Sequence, residues 1–169
     1  MTYMKETVAT IHIYHTNDIH SHFENWPQIR RFLKQRKEQA EEAGEACFIF
    51  DIGDHVDRSH PFTEGTDGKG NVKLLNEVGY DAVTIGNNEG ITMSKQTLET
   101  LYEDALFDVL ICNLKELNGE QPVWAKSSEI FETTDGVRVG VIGATAPYYA
   151  FYRQLGWKVT EPRKEIREQ

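Results

Sequence analysis

Three short polar clusters in this chain hold residue types that can bind metal ions and act on phosphate: Asn17-Asp18-Ile19-His20, Gly53-Asp54-His55-Val56-Asp57-Arg58 and Gly86-Asn87-Asn88-Glu89. Asp18 and His20, one residue apart, can reach the same ion from a tight turn. Asp54 can bridge two ions with its two oxygens, and Gly53 before it lets the backbone approach closely. Asn87 adds a neutral carbonyl oxygen. A mixed oxygen and nitrogen set suits Mn²⁺, Fe or Zn²⁺ better than an all-oxygen calcium site. Two such ions, roughly 3.5–4 Å apart, can hold phosphate oxygens, lower the pKa of a bridging water and neutralise developing charge. Each cluster alone is a weak signal, because D-x-H arises by chance and Gly-Asp after a strand is often only a turn. The three together, each behind an apolar run and separated by helix-length segments, carry the reading.

The elements that must position these clusters follow from periodicity. Residues 8–15 are β-branched and loosely alternating, a first strand. Residues 16–25 form a polar loop. Trp26-Pro27 opens a helix with Ile29, Phe32 and Leu33 on its apolar stripe and Gly44 at its end. Residues 46–52 form a nearly continuous apolar strand, as in a sheet covered on both faces. Residues 55–70 read as a long functional loop, after which Asn71 caps a short helix ended by Gly79-Tyr80. A third strand at 81–86, a helix at 94–105 with Leu98, Leu101 and Leu106 on one face, and a fourth strand at 107–112 complete a βαβαβαβ order. That order predicts a parallel α/β sheet with right-handed crossovers. Residues 129–133 and 137–142 flank Thr134-Asp135-Gly136 as a β-hairpin with an Asp-Gly turn. Glu161-Pro162-Arg163 starts a last helix of about two turns, too short to hold itself without a packed face. The expectation is that the natural protein continues beyond it.

Composition narrows the function classes. The chain has 169 residues, a formal charge of −9 and 39% hydrophobic residues, enough for a core of its own. No stripe of Lys and Arg offers itself to a nucleic-acid polymer; the basic residues 30–37 are followed at once by Glu38, Glu41 and Glu42 and read as the wet face of a helix. An acidic pocket would repel an anionic substrate unless bound dications reversed the local sign. No apolar run approaches the roughly 20 residues of a membrane helix. The polar start, residues 1–7, lacks the pattern of a secretory leader, so a cytoplasmic location is expected. Cys47 and Cys112 sit in apolar runs without CxxC spacing and read as buried small hydrophobes.

On the three clusters, with Asp57-Arg58, Tyr80-Asp81-Ala82 and residues 139–145 in support, the chain resembles the calcineurin-like metallophosphoesterases, and most closely their 5′-nucleotidase branch. The resemblance covers nearly the whole of residues 1–169. It implies an αββα sandwich, here an N-terminal portion of the catalytic domain, with the rest of that domain and any C-terminal substrate domain absent. It implies two divalent metal ions (Mn, Zn, Fe or Co), with Asp18 and His20 on the first, Asp54 as the bridge and Asn87 on the second. The activity implied is hydrolysis of a phosphoester, most readily a nucleotide, by a metal-bound hydroxide. Cyclic-nucleotide phosphodiesterase and nucleotide-sugar pyrophosphohydrolase activities are the alternatives within the class; a non-catalytic metal- or nucleotide-binding module is the alternative outside it.

Two departures from the family pattern stand out. The family usually carries histidine where this chain has Asn88, which can donate a hydrogen bond to phosphate but cannot deliver a proton near neutral pH. Asn88 is nonetheless the candidate catalytic residue. His22, His55 and His60 are candidate substitutes in nearby loops, although each reads more readily as a surface histidine. The family's later histidine ligands are also missing, so metal bound by this chain alone should be weak. Asp57 and Arg58 are expected either to pair behind Asp54 or to leave Arg58 facing phosphate, and Glu89 to orient a ligand. The aromatic group Tyr148, Tyr149, Phe151, Tyr152 and Trp157 is expected to pack against the absent part of the domain.

Overall fold

The computed structural model describes residues 9–169. Val8 of the expected first strand and the polar residues 1–7 lie outside the described residues. Four strands, β1 (Ile11–Thr16), β2 (Ala46–Asp51), β3 (Ala82–Val83) and β4 (Asp108–Val109), form one parallel sheet in the order β1-β2-β3-β4. They are linked by helices α1 (Trp26–Ala43), α3 (Lys69–Val78) and α5 (Lys95–Leu101). The expected alternation of strand and helix is therefore present, and adjacent strands join in sequence order.

The pleat sorts side chains between the two faces. On one face Ile49, Val83 and Val109 share a core with Leu33 of α1, Val72, Leu75 and Val78 of α3, and Leu98 and Leu101 of α5. On the other face Phe48 and Phe50 meet Phe131, at ring separations of 5.5 and 5.8 Å. Phe131 belongs to the antiparallel hairpin of β6 (Ser128–Glu132) and β7 (Arg138–Ile142), whose turn places Gly136 in the left-handed region. A helical layer, a parallel sheet and a second β layer are thus three of the four layers of an αββα sandwich. The expected cover on the second face is partial among the described residues, where Ile13 and Ile52 are 56% and 52% exposed.

Several local expectations are corrected. The long loop holds a short helix, α2 (Pro61–Glu64), capped by His60. Helix α3 starts two residues before Asn71 behind Gly68, whose φ is +78°. Asn71 cannot cap because its amide is committed elsewhere: it accepts from Thr63 Oγ1 and donates to Ser21 Oγ. The third cluster, unassigned by periodicity, is helical: Asn87 begins helix α4 (Asn87–Thr92). Helix α5 ends at Leu101, which throws Leu106 off the apolar stripe and leaves it 83% exposed.

The C-terminal third adds elements the periodicity did not announce. Strand β5 (Leu114–Glu116) pairs antiparallel with β8 (Trp157–Val159), and α6 (Tyr149–Gln154) precedes β8. Tyr152 and Trp157 are buried within this chain, which corrects the expectation for them, whereas Tyr148, Tyr149 and Phe151 are exposed. The expected last helix is α7 (Pro162–Glu168), with the Glu161 carboxylate accepting from Lys164 N. Buried Asn113 ties these pieces together. Its amide donates to the carbonyls of Thr145 and Thr160 and accepts from Thr145 N. Replacing it with alanine leaves those groups buried without partners, at about 1–3 kcal/mol for each that water does not reach. Asn113→Ala is expected to lower stability by about 2–4 kcal/mol in urea unfolding.

Candidate metal centre

Because β1, β2 and β3 are parallel neighbours, their C-terminal ends lie side by side, where open α/β sheets place their ligands. The loops that follow run along one another. Asp18 N donates to Gly53 O at 3.0 Å, His20 N to Asp54 O at 3.0 Å, and Ser21 N to His55 O at 3.1 Å. This pairing demands unusual backbone. Asp18, His20, Ser21 and Asp54 all have positive φ, between 48° and 56°, a region non-glycine residues enter sparingly. Gly53 has φ +107°, and a Cβ there would come within 2.7 Å of Gly86 N. At Gly86 a Cβ would meet Asp54 Oδ1 at 2.3 Å. Two glycines are therefore required for the second and third loops to touch.

Asp18, His20 and Asp54 are brought together, each offering a ligand atom within 4.8 Å of the others. His20 Nε2 lies 3.5 Å from Asp18 Oδ1. The Asn17 amide donates to Asp18 and is the main cause of its lowered pKa. Asn87 reaches the same place: oriented as its hydrogen bonds require, its amide nitrogen donates to Asp54 Oδ2 at 3.0 Å. Two carboxylates and an imidazole converging on one point are a donor set that fits a divalent metal such as Mn²⁺, Fe or Zn²⁺. Asn88 N donates to Asp54 Oδ1, and its side-chain nitrogen stands 2.9 Å from His20 Nδ1.

Behind this cluster two buried carboxylates fasten the loops. Glu89 Oε2 accepts from Asp54 N and Gly86 N, and Oε1 from Val56 N. Glu89 thus orients the backbone that carries Asp54. Asp51 accepts from Gly53 N and from Thr16 Oγ1, and Thr16 in turn meets the Tyr80 hydroxyl. Burial raises the pKa of both acids, that of Asp51 to about 7. Ser21 Oγ accepts from Asp57 N and Asn71 Nδ2, fastening the first loop to α3. Asp51, Ser21 and Asn71 were not singled out from the sequence as site residues. A lone acid closing the apolar run Cys47-Phe48-Ile49-Phe50-Asp51 was the one available signal.

The remaining candidates lie apart from the cluster. Asp57 and Arg58 do not pair: Asp57 accepts from Ser59 N, and Arg58 donates to Thr92 O on the wall of a polar cleft of about 540 Å³. His22 is exposed against Glu24. His55 is not a surface histidine. It is buried against Trp26, 3.9 Å from Asp51 Oδ2, and burial depresses its pKa to about 4. Among the described residues no helix is long and apolar enough to cross a membrane.

Comparison with known proteins gives a consistent picture. The family model described as calcineurin-like phosphoesterase matches residues 11–159. A Bacillus subtilis (strain 168) protein described as "uncharacterized metallophosphoesterase YunD" is 46% identical over 98% of this chain, which spans 35% of that relative's length. The structure of NAD nucleotidase (NadN) from Haemophilus influenzae superposes with a TM-score of 0.76 at 18% identity, over 91% of this chain and 30% of the other. Sulfate thiohydrolase SoxB of Thermus thermophilus superposes at 0.78 and 14% identity, over 98% of this chain and 42% of the other. At such identities the two structures speak for the fold alone.

Asp51 generates a pH prediction for the metal-free chain. Its folded pKa of about 7 lies above the usual carboxylate value, so the folded state holds the proton more tightly than the unfolded state. That stabilisation is complete below about pH 4 and is lost as pH rises through 7. Between pH 5 and pH 8 in chelator the melting temperature is expected to fall by roughly 5–10 °C from this residue. Asp51→Asn, read by calorimetry, is expected to flatten that slope.

Proposed function

This chain belongs to the calcineurin-like phosphoesterase family, and on that premise we propose that it carries the metal ligands of a phosphoester hydrolase acting on nucleotides, as one part of a longer catalytic domain. The observation that carries the reading is the convergence of Asp18, His20 and Asp54 at neighbouring strand ends, with the Asn87 amide against Asp54. In this proposal Asp18 and His20 hold one divalent ion, Asn87 helps hold a second, and Asp54 lies between them. Divalent ions bound there would neutralise phosphate charge and acidify a water. The protein's own part is positioning. Glu89 and Asp51 fix the loops, and the Asn88 N–H holds one oxygen of Asp54. With its amide oxygen turned to His20, Asn88 would accept Nδ1–H and leave Nε2 for a metal, the usual arrangement behind a ligating histidine.

The nucleotide preference is supported by the nucleotidase among the structural neighbours and by the resemblance to the 5′-nucleotidase branch. A cytoplasmic location is part of the same proposal. One observation favours a second reading, a binding module without turnover: the Asn88 side chain faces His20 and has no group able to deliver a proton.

The full-length protein should release phosphate from nucleoside monophosphates with Mn²⁺ and stop in chelator. Tight nucleotide binding without release would select the module. Asp54→Asn is expected to lower the rate at least about 100-fold by removing the bridging charge. Asn88→His should raise turnover or shift its pH profile by supplying a group that titrates near neutrality. An unchanged profile removes Asn88 from the mechanism.

A further inference from the structure

Between β2, β3 and helices α3 and α5 lies a small cavity of about 10 Å³, bordered by Asp51, His55, Asn71, Thr84, Glu89 and Tyr102. Two of these residues bring buried polar atoms without a hydrogen-bond partner among the described residues: both ring nitrogens of His55, and Thr84 Oγ1. The Asn71 carbonyl stands close enough to favour a proton on the ring, but not in the geometry of a hydrogen bond. We propose that this cavity binds one water molecule, which bridges His55 and Thr84 and so joins the loop after β2 to the end of β3.

Size and chemistry both select water. The volume is about what a single molecule requires, and buried waters make two to four hydrogen bonds to groups otherwise left unpaired. A neutral imidazole presents one donor and one acceptor, and a threonine hydroxyl presents both. Water can match all of them, whereas a cation cannot accept from an N–H. Both oxygens of Asp51 and both of Glu89 already accept hydrogen bonds, so the unpartnered atoms bordering the cavity are those of His55 and Thr84. The separation of 3.9 Å between His55 Nδ1 and Asp51 Oδ2 is also too long for a direct bond. The cavity and its unpartnered atoms involve no metal and no substrate, so the water would be bound whether or not the protein turns over nucleotides.

The bridge has a structural consequence. Thr84 lies three residues before Asn87, and His55 directly follows Asp54. The water therefore adds a further tie, beside Glu89 and the Asn88–Asp54 bond, between the segments that carry those two side chains.

A high-resolution crystal structure of the full-length protein tests the proposal. One density peak is expected within about 3.2 Å of a His55 nitrogen and of Thr84 Oγ1. An empty cavity overturns the proposal, as does a peak with contacts of roughly 2.3–2.6 Å, the signature of a cation. In solution, oxygen-17 relaxation dispersion should count one fewer long-lived water in Thr84→Val, which keeps the side-chain shape. An equal count overturns the bridge. If that variant does not fold, the native crystal decides alone.

Discussion

Taking the Glu89 carboxylate out of water costs several kcal/mol, and the fold offsets that cost with three backbone N–H donors drawn from two different loops. Hydrogen bonds to a charged group contribute about 1.5–3 kcal/mol each, so the three together are of the size needed. The loop after β2 and the loop after β3 are drawn together by these bonds and by the Asn88 N–H donating to Asp54. Gly53 and Gly86 remove the side chains that would keep them apart, and Glu89 supplies the attraction. The first loop is then laid along the second by backbone pairing from Asp18, His20 and Ser21. Without the central carboxylate, the backbone of Asp54 and that of Gly86 lose their shared acceptor.

The same end of the sheet concentrates negative charge. Asp18 and Asp54 face one another, with Asp51 and Glu89 buried behind them, in a chain that already carries −9. Hydrogen bonding answers most of this for the two buried acids. For Asp18 and Asp54, which face each other at the strand ends, it answers less. Bound cations are the physical remedy, which is why the family assignment and the local electrostatics point the same way. The structural neighbours include proteins named for a nucleotidase and for a sulfate thiohydrolase, so proteins with different names share this fold.

Much of this was legible in the residues. The βαβαβαβ order, α1 with its Gly44 stop, the Asp-Gly hairpin and the Glu161 cap followed from period, capping and turn chemistry, all local rules. The convergence of Asp18, His20 and Asp54 was legible because each follows a strand, and parallel strands bring their ends together. What escaped was what tertiary contacts decide. Asn71 looks like a cap until Ser21 and Thr63, far away in sequence, are placed beside it. Asp51 looks like the tail of a strand until Thr16 donates to it across the sheet. His55 sits in a polar run yet turns inward beneath Trp26. Strand β5 and its partner β8 are three residues each, too short for alternation to register, and their pairing spans more than forty residues.

Four non-glycine residues in the first two loops keep left-handed torsions, and three of them bring the groups that converge at the strand ends. Conformations of that kind cost about 1–3 kcal/mol each, and the expense is settled when the chain folds. A ligand arriving later meets groups already aimed, with little torsional freedom left to lose. Such a centre is preorganised: its selectivity comes from rigidity more than from adaptation, and a cation of the wrong radius would find loops that do not yield to it.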